Sequence, residues 1–472
     1  MVEEGAEHQW IRYAKWSETY GDLVYLKILG QPFLVLNSAK ATTELLDRRS
    51  ANYSDRTYQP MVYDLMSWRW NFALMSHNDW WRIHRKTFHQ FFSPKAVLAY
   101  QPIQRKATDQ LLKNLLKSPK ELTTHLHNHA GSVILQITYG YEIQSQKDFY
   151  VNLAAEAFDG LTKAVNAGSF LVDLVPFLKY IPTWFPGAAF KRNAEIWSKA
   201  ALALRDRPFD LLKASVDDGT APPCFVTGSL AKIKDLNPTE KEKMETVIRN
   251  CAGVSYLGGS DTSVSLILNF ILAMITHPHV LAKAQEEIDS VVGTSRLPDF
   301  SDRKNLPYLE AVLTEALRWL PIVPLAVPHR STHEDVYEGY RIPAGTSLIG
   351  NAWAIGHDPV THPDPHVFKP ERFLKEPGKE LPPDPTDYAF GYGRRICPGR
   401  YLGLNSSWIG IATMLSTFSI TKALDKDGNP IEPTIGTTSG TVTYPLPFEC
   451  DIKPRSQEAI DLIEAGYEKT SD

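Results

Sequence analysis

The chain has 472 residues, 43% of them hydrophobic and 11% aromatic, with a formal charge of −4. That is apolar side chain enough for a large buried core, and the near-balanced charge, with no basic block, excludes the footprint of a nucleic-acid binder. Four dispersed cysteines (Cys224, Cys251, Cys397, Cys450) exclude a disulfide scaffold and fit a chain kept in a reducing compartment.

The polar, acidic N-terminus reads as neither a signal peptide nor a membrane span. Residues 22–36 alternate and are interrupted at Gly30-Gln31-Pro32, a hairpin pattern. Helical periodicity follows over roughly 38–48, 79–92, 95–117, 120–139, 149–166 and 188–214. Trp81 and Arg85, four residues apart in the second of these, share one face. Taken alone they read as a core Trp beside an exposed Arg. His125, His127 and His129 invite a zinc reading. No Glu follows the first and no third ligand is evident, so a solvated helix face is the better one. Residues 171–187 are apolar, aromatic and broken by three prolines.

A long helix is expected over 239–276, capped by Thr239, with Glu240 and Glu242 in its first turn. At 1.5 Å per residue it spans roughly 57 Å. Gly253, Gly258 and Gly259 each cost it roughly 1 kcal/mol relative to Ala. Such costs point to a close approach to the backbone or to a helix that opens. Gly258-Gly-Ser-Asp-Thr-Ser263 interrupts the pattern, and alone it reads equally as the cap of a second helix. The most apolar run, Ser265 to Ile275, contains Asn269 and is too short to cross a bilayer. Helices near 279–292 and 305–319 follow, then strand-like pieces near 335–349 and 439–451. Glu315 and Arg318 sit three apart on one helix face, a spacing that chance alone supplies about once in such a chain. The sum is mainly α with small β-sheets, in a single domain over 1–472 without a flexible linker.

The decisive stretch is Phe390-Gly-Tyr-Gly-Arg-Arg-Ile-Cys-Pro-Gly-Arg400. Gly391 and Gly393 permit the positive φ of a tight loop, and such a loop can aim N–H groups at the Cys397 sulfur. Arg395 offers a fork of donors suited to a carboxylate. Gly399 lets the following helix approach a flat ligand, and Phe390 can shield the sulfur. A lone cysteine is ordinarily inert and buried. The pattern Phe-x-x-Gly-x-Arg-x-Cys-x-Gly, however, is expected by chance on the order of 10⁻⁴ times in a chain this size.

This loop resembles the haem-binding signature of cytochromes P450, and the resemblance runs from the hairpin near residue 22 to the final strand near 450. Fungal microsomal members are the most similar. The resemblance implies the family fold, with a long central helix over the haem, and haem b as cofactor. It makes Cys397 the iron ligand, whose thiolate favours O–O cleavage. Gly393 and Gly399 then shape the loop, Phe390 covers the sulfur, and Trp81, Arg85, His329 and Arg395 contact the haem propionates. Gly258 makes room for dioxygen, Thr262 hydrogen-bonds it, and Asp261 relays protons. Glu315, Arg318 and Arg372 (in Pro370-Glu-Arg-Phe373) become a buried ionic triad behind the haem.

The implied activity is insertion of one oxygen atom of O2 into a small apolar substrate. Residues 57–77, 325–327 and 439–442 are expected to wall the substrate. Too little chain follows Cys397 for a fused reductase, so electrons are expected from a separate NADPH-cytochrome P450 reductase. Residues 171–187 correspond to a stretch that dips into the membrane surface, which points to the cytosolic face of the endoplasmic reticulum. The anchor and proline-rich hinge that precede the hairpin in relatives are missing, implying truncation or peripheral association. Two alternatives keep the haem: an isomerase, dehydratase or peroxygenase acting on peroxides without a reductase, and a non-catalytic haem-binding protein. The Asp261-Thr262 pair argues against both. Terpenoid, polyketide, fatty acid and aromatic substrates all stay open.

Overall fold

The computed structural model describes residues 7–145, 147–165, 169–378 and 380–467. Helices of nine or more residues are numbered here in chain order. They are α1 (Gln9–Tyr20), α2 (Asp79–Phe92), α3 (Gln101–Lys117), α4 (Leu122–Tyr139) and α5 (Phe149–Val165). Then come α6 (Ala189–Asp217), α7 (Pro238–Thr276), α8 (Pro278–Val291), α9 (Pro307–Trp319), α10 (Arg400–Thr417) and α11 (Gln457–Ala465). The strands are β1 (Leu23–Ile28), β2 (Gln31–Leu36), β3 (Asp55–Arg56), β4 (His329–Arg330), β5 (Asp335–Tyr337), β6 (Tyr340–Ile342), β7 (Ser347–Gly350), β8 (Phe418–Lys422) and β9 (Cys450–Pro454).

The chain is mainly helical with small sheets, as expected. Five strands form one sheet in the order β1-β2-β7-β4-β3, while β5-β6 and β8-β9 are two-stranded. The first hairpin turns on Leu29 and Gly30, both at positive φ. Gln31 and Pro32, expected in the turn, already belong to β2. Paired positive φ values match the twist of the flanking strands, which is why so short a turn suffices.

The organising element is α7. After its charged, exposed first turns it is largely buried from Val247 to Ile275, and there it is apolar on most sides. Its N-terminal half (Val247, Ile248, Cys251, Tyr256) belongs to a core shared with α2, α4, α5 and α6. Its C-terminal half (Val264, Ile267, Phe270, Ile271) belongs to a second core with α3, α8, α9 and α10. Two of its polar residues are pinned: Ser265 Oγ donates to Thr443 O at 2.7 Å and Asn269 Nδ2 to Leu320 O at 2.7 Å. The helix is long and apolar enough to cross a membrane, contrary to the shorter apolar run read from sequence, but 78% of that window is buried inside the protein. It starts at Pro238, one residue earlier than expected. Asn237, not Thr239, caps it by accepting from Glu240 N–H at 2.9 Å.

Behind α9 lies a closed ionic knot. Both Glu315 and Arg318 are wholly buried. Arg318 donates to Glu315 at 2.6 and 2.7 Å, and Arg372 Nε reaches the same carboxylate at 3.1 Å. The remaining Arg318 donors end on the carbonyls of Gly356, Pro365 and Val367. Full pairing makes such burial tolerable, and removing one partner costs roughly 3–5 kcal/mol.

Candidate functional site

Phe390–Arg400 runs from a short helix (Thr386–Ala389) into α10. Gly391 and Gly393 adopt φ of 80° and 50°, as the loop reading expected. Gly393 is doubly constrained: a Cβ there would stand 2.2 Å from Leu46 O, and its N–H donates to the Asp47 carboxylate. Cys397 N–H donates to Phe390 O at 2.7 Å, closing the loop, and the Phe390 ring packs on the second core. The N–H groups that meet the sulfur belong to Gly399 and Arg400 at the start of α10, not to the loop glycines. A helix start has unpaired N–H groups to offer, whereas Gly393 N–H is already committed. Burial pushes the Cys397 thiol up, and those N–H groups with the Arg85 and Arg400 charges pull against it.

Arg395 is buried beside this loop. Its donors end on backbone carbonyls, Ser54 O at 2.7 Å, Phe72 O at 3.4 Å and Met75 O at 2.6 Å, and its guanidinium lies 4.4 Å over the Trp81 ring. Among the described residues no carboxylate lies opposite its fork. Arg56, which no motif marked, is buried alongside and donates to the carbonyls of Ala73, Val327 and Pro328. Arg85 is within electrostatic reach of Cys397. Burial depresses all three cations, Arg395 to about 8 and Arg56 to about 10, and Arg56 and Arg85 both act against Arg395. Guanidinium groups stay protonated in proteins, so these depressions measure the cost of crowding positive charge out of water. Among the described residues none of the three has an ion pair with a carboxylate; Asp55, which acts on Arg395 electrostatically, lies 3.7 Å from Arg330 instead. His329 is buried in the same cluster. Its Nδ1 donates to Tyr53 O at 2.7 Å, and burial, then the Arg56 charge, keeps the ring neutral.

The Gly258–Ser263 segment does not interrupt α7, which is continuous from Pro238 to Thr276; neither a break nor a second cap is present. Its glycines have separate reasons. A Cβ on Gly259 would stand 2.7 Å from Ile134 of α4, and one on Gly253 would stand 2.8 Å from the Trp70 ring, so both serve packing. Gly258 alone faces open space and is exposed in the middle of a buried helix. Thr262, one turn on, donates to Gly258 O at 2.9 Å and is partly open on this side. Next to it, a Cβ on Gly403 would meet Ser263 Oγ at 3.9 Å, which ties the segment to α10 one turn beyond the cysteine loop. Asp261 points the other way and is buried. Its carboxylate accepts from Tyr444 at 2.7 Å and Ser260 at 3.3 Å, with His127 Nδ1 3.5 Å away.

His125 and His129 are buried, not on a solvated face as expected; α4 packs on both α3 and α7, which leaves those positions no solvent. Among the described residues no group of three or more His, Cys, Asp or Glu could hold a metal ion. A cleft of about 200 Å³ opens between Phe33 of β2, residues 56–59, Leu174, Pro176 and Val327. Tyr63, Leu74 and Val327 bring two of the three expected wall segments to this cleft, whereas Val442 of the third packs on the first core. Leu29 at the hairpin turn and Phe177, Tyr180 and Trp184 are exposed large apolar side chains.

The family model described as Cytochrome P450 matches residues 2–449. A cytochrome P450 monooxygenase of Armillaria gallica is 42% identical over 96% of this chain and 89% of its own length. Cytochrome P450 monooxygenase COX2 of Coprinopsis cinerea is 41% identical over 100% of this chain and 90% of its own. Among solved structures, a zebrafish cytochrome P450 with progesterone superposes with a TM-score of 0.80 at 24% identity, covering 95% of this chain and 100% of that one; this likeness speaks for the fold.

Proposed function

The chain belongs to the cytochrome P450 family, and from that premise we propose a haem-thiolate monooxygenase that inserts one atom of O2 into a small apolar organic molecule. The observation that carries the reading is one site holding both a cysteine sulfur at a helix start and three guanidiniums, two buried and Arg85 half-buried, that have no ion pair with a carboxylate among the described residues. Haem b would answer both needs: Cys397 would hold its iron and the positive cluster its propionates. Arg56, Arg85 and Arg395 supply the charge, with Trp81 stacked beneath Arg395. His329 is neutral with its Nδ1 proton committed to Tyr53, so it would donate to a propionate only after taking a second proton on Nε2, which the propionate's own charge would favour.

When bound, haem would supply the binding and reductive activation of O2, and Cys397 as its thiolate ligand would favour O–O cleavage by donating electron density. The rest is the work of the chain. Gly399 and Arg400 N–H groups temper the charge on sulfur. Gly258 leaves space on the open side of α7, and the Thr262 hydroxyl stands beside it, ready to exchange Gly258 O for a bound ligand. Asp261 accepts and passes on protons. The apolar wall around Tyr63, Val327 and Val442 excludes water and orients the C–H bond. In balance, one oxygen atom enters the substrate as hydroxyl and the other leaves as water. A pair of protons is consumed, with a pair of electrons drawn from NADPH through a separate reductase. The exposed apolar side chains of residues 171–187 support contact with the cytosolic face of the endoplasmic reticulum.

Turnover under ¹⁸O2 tests the reading. Product carrying one ¹⁸O, formed only with NADPH and reductase, supports it. Product formed from a hydroperoxide alone, with no label from O2, would replace it with the peroxide-rearranging alternative.

A further inference from the structure

Asp261 is buried where α7 packs on α4, yet proton delivery requires a route from it to water. Its three polar neighbours differ in what they can offer. Ser260 is buried and is its immediate chain neighbour. Tyr444 donates to Asp261 Oδ1 at 2.7 Å, and burial together with the Asp261 charge drives its hydroxyl far above the ordinary range, so it holds its proton. His127 on α4 is different: its Nδ1 lies 3.5 Å from the same Oδ1, while its side chain is 27% exposed against 5% for Asp261. That separation is an ion-pair contact, a few tenths of an ångström from hydrogen-bond distance.

We propose that His127 is the proton inlet of this enzyme, a relay residue that takes protons from solvent and passes them to Asp261 Oδ1, while Tyr444 keeps that oxygen turned toward it. The inference rests on the monooxygenase reading, which supplies the need for protons. In each transfer the His127 Nδ1–H bond breaks, an Asp261 O–H bond forms, and water recharges the imidazole. Asp261 then stands one residue from Thr262, whose hydroxyl faces the open side of α7. His127 acts through Asp261 and touches no reacting atom, so its loss is expected to cost less than that of a direct acid.

The test uses the haem-loaded enzyme. ¹⁵N-histidine NMR of the carbon-monoxide-bound ferrous form, with His127 assigned by its disappearance in His127→Gln, is recorded for the wild type and for Asp261→Asn. The His127 Nδ1 resonance is expected to move in Asp261→Asn. In parallel, His127→Gln and His127→Asn, either of which suffices if it folds, are expected to give roughly 10-fold less product per NADPH, with an increased solvent deuterium isotope effect. An unmoved resonance overturns the contact, and unchanged coupling in a folded variant overturns the relay. A wild type needing neither O2 nor NADPH overturns the relay together with the monooxygenase reading, and the NMR result then shows that the contact itself stands.

Discussion

The guanidinium of Arg395 lies 4.4 Å over the ring of Trp81 while its donors end on the carbonyls of Ser54, Phe72 and Met75. Stack and fork together fix a buried cation, which on the proposed reading meets a haem propionate. Arg395→Lys keeps the charge but loses the planar stack and the fork. Haem is expected to leave this variant roughly 10-fold faster, the equivalent of about 1.4 kcal/mol, when transfer to an apo-globin is followed by absorbance. An unchanged rate would make Arg395 a purely structural cation.

The Thr262 hydroxyl donates to a carbonyl of its own helix, so its removal costs the fold little. Thr262→Ala is expected to retain haem and melt with the wild type while diverting NADPH electrons from product to hydrogen peroxide. Peroxide and product yields per NADPH check this, and unchanged coupling would remove Thr262 from the proposed chemistry.

Acid stability should report the buried histidines. Burial holds the His129 imidazole down to about 4 and that of His362 to about 4, against 6.5 in the unfolded chain. Between these values the unfolded chain binds protons that the folded one refuses, so stability falls as pH drops from about 6.5 to about 4 and is flat above. For His129 alone the loss is roughly 3 kcal/mol at about 1.4 per pH unit. Denaturant midpoints measured against pH should therefore slope less in His129→Leu than in the wild type over this window, and equal slopes would refute the assignment.

Trp184 and Tyr180 are each 77% exposed, and Phe177 of the same segment is exposed too. Interfacial aromatic rings of this kind anchor a protein at the level of lipid headgroups. Phe177→Ser with Trp184→Ser is expected to lower co-sedimentation with phosphatidylcholine vesicles several-fold. Unchanged binding would place the membrane contact elsewhere.

Features set by neighbours in the chain are legible in the amino-acid sequence. Helix α2 can be read to its end residues because Asn78 caps it and its apolar period is regular. The cysteine loop is legible because its glycines answer to backbone angles that only glycine adopts readily. Helix α1 carries no such signal: His8 gives it no side-chain cap, and Trp10 is its only buried residue. The purpose of Gly259 cannot be read locally, since the demand for a small residue comes from Ile134 on another helix. Arg56 and Tyr444 are not marked as site residues by any motif, and His127 stood out only within a histidine pattern weighed for zinc, because each matters through a partner far away in the chain. Nothing beside Tyr444 announces a carboxylate at Asp261, and Arg56 joins the site only through burial next to Arg395. The solvated face read for the histidines of α4 is overturned by the packing, since His125 and His129 are interior.

The central claim is that Cys397 holds haem iron through a thiolate, and the absorption spectrum of the dithionite-reduced protein with carbon monoxide tests it most directly. The expected result is the long-wavelength Soret band from which the family takes its name, and its loss in Cys397→Ser. A band at the shorter wavelength of histidine-ligated haem in freshly prepared wild type, or a long-wavelength band that survives Cys397→Ser, would contradict it.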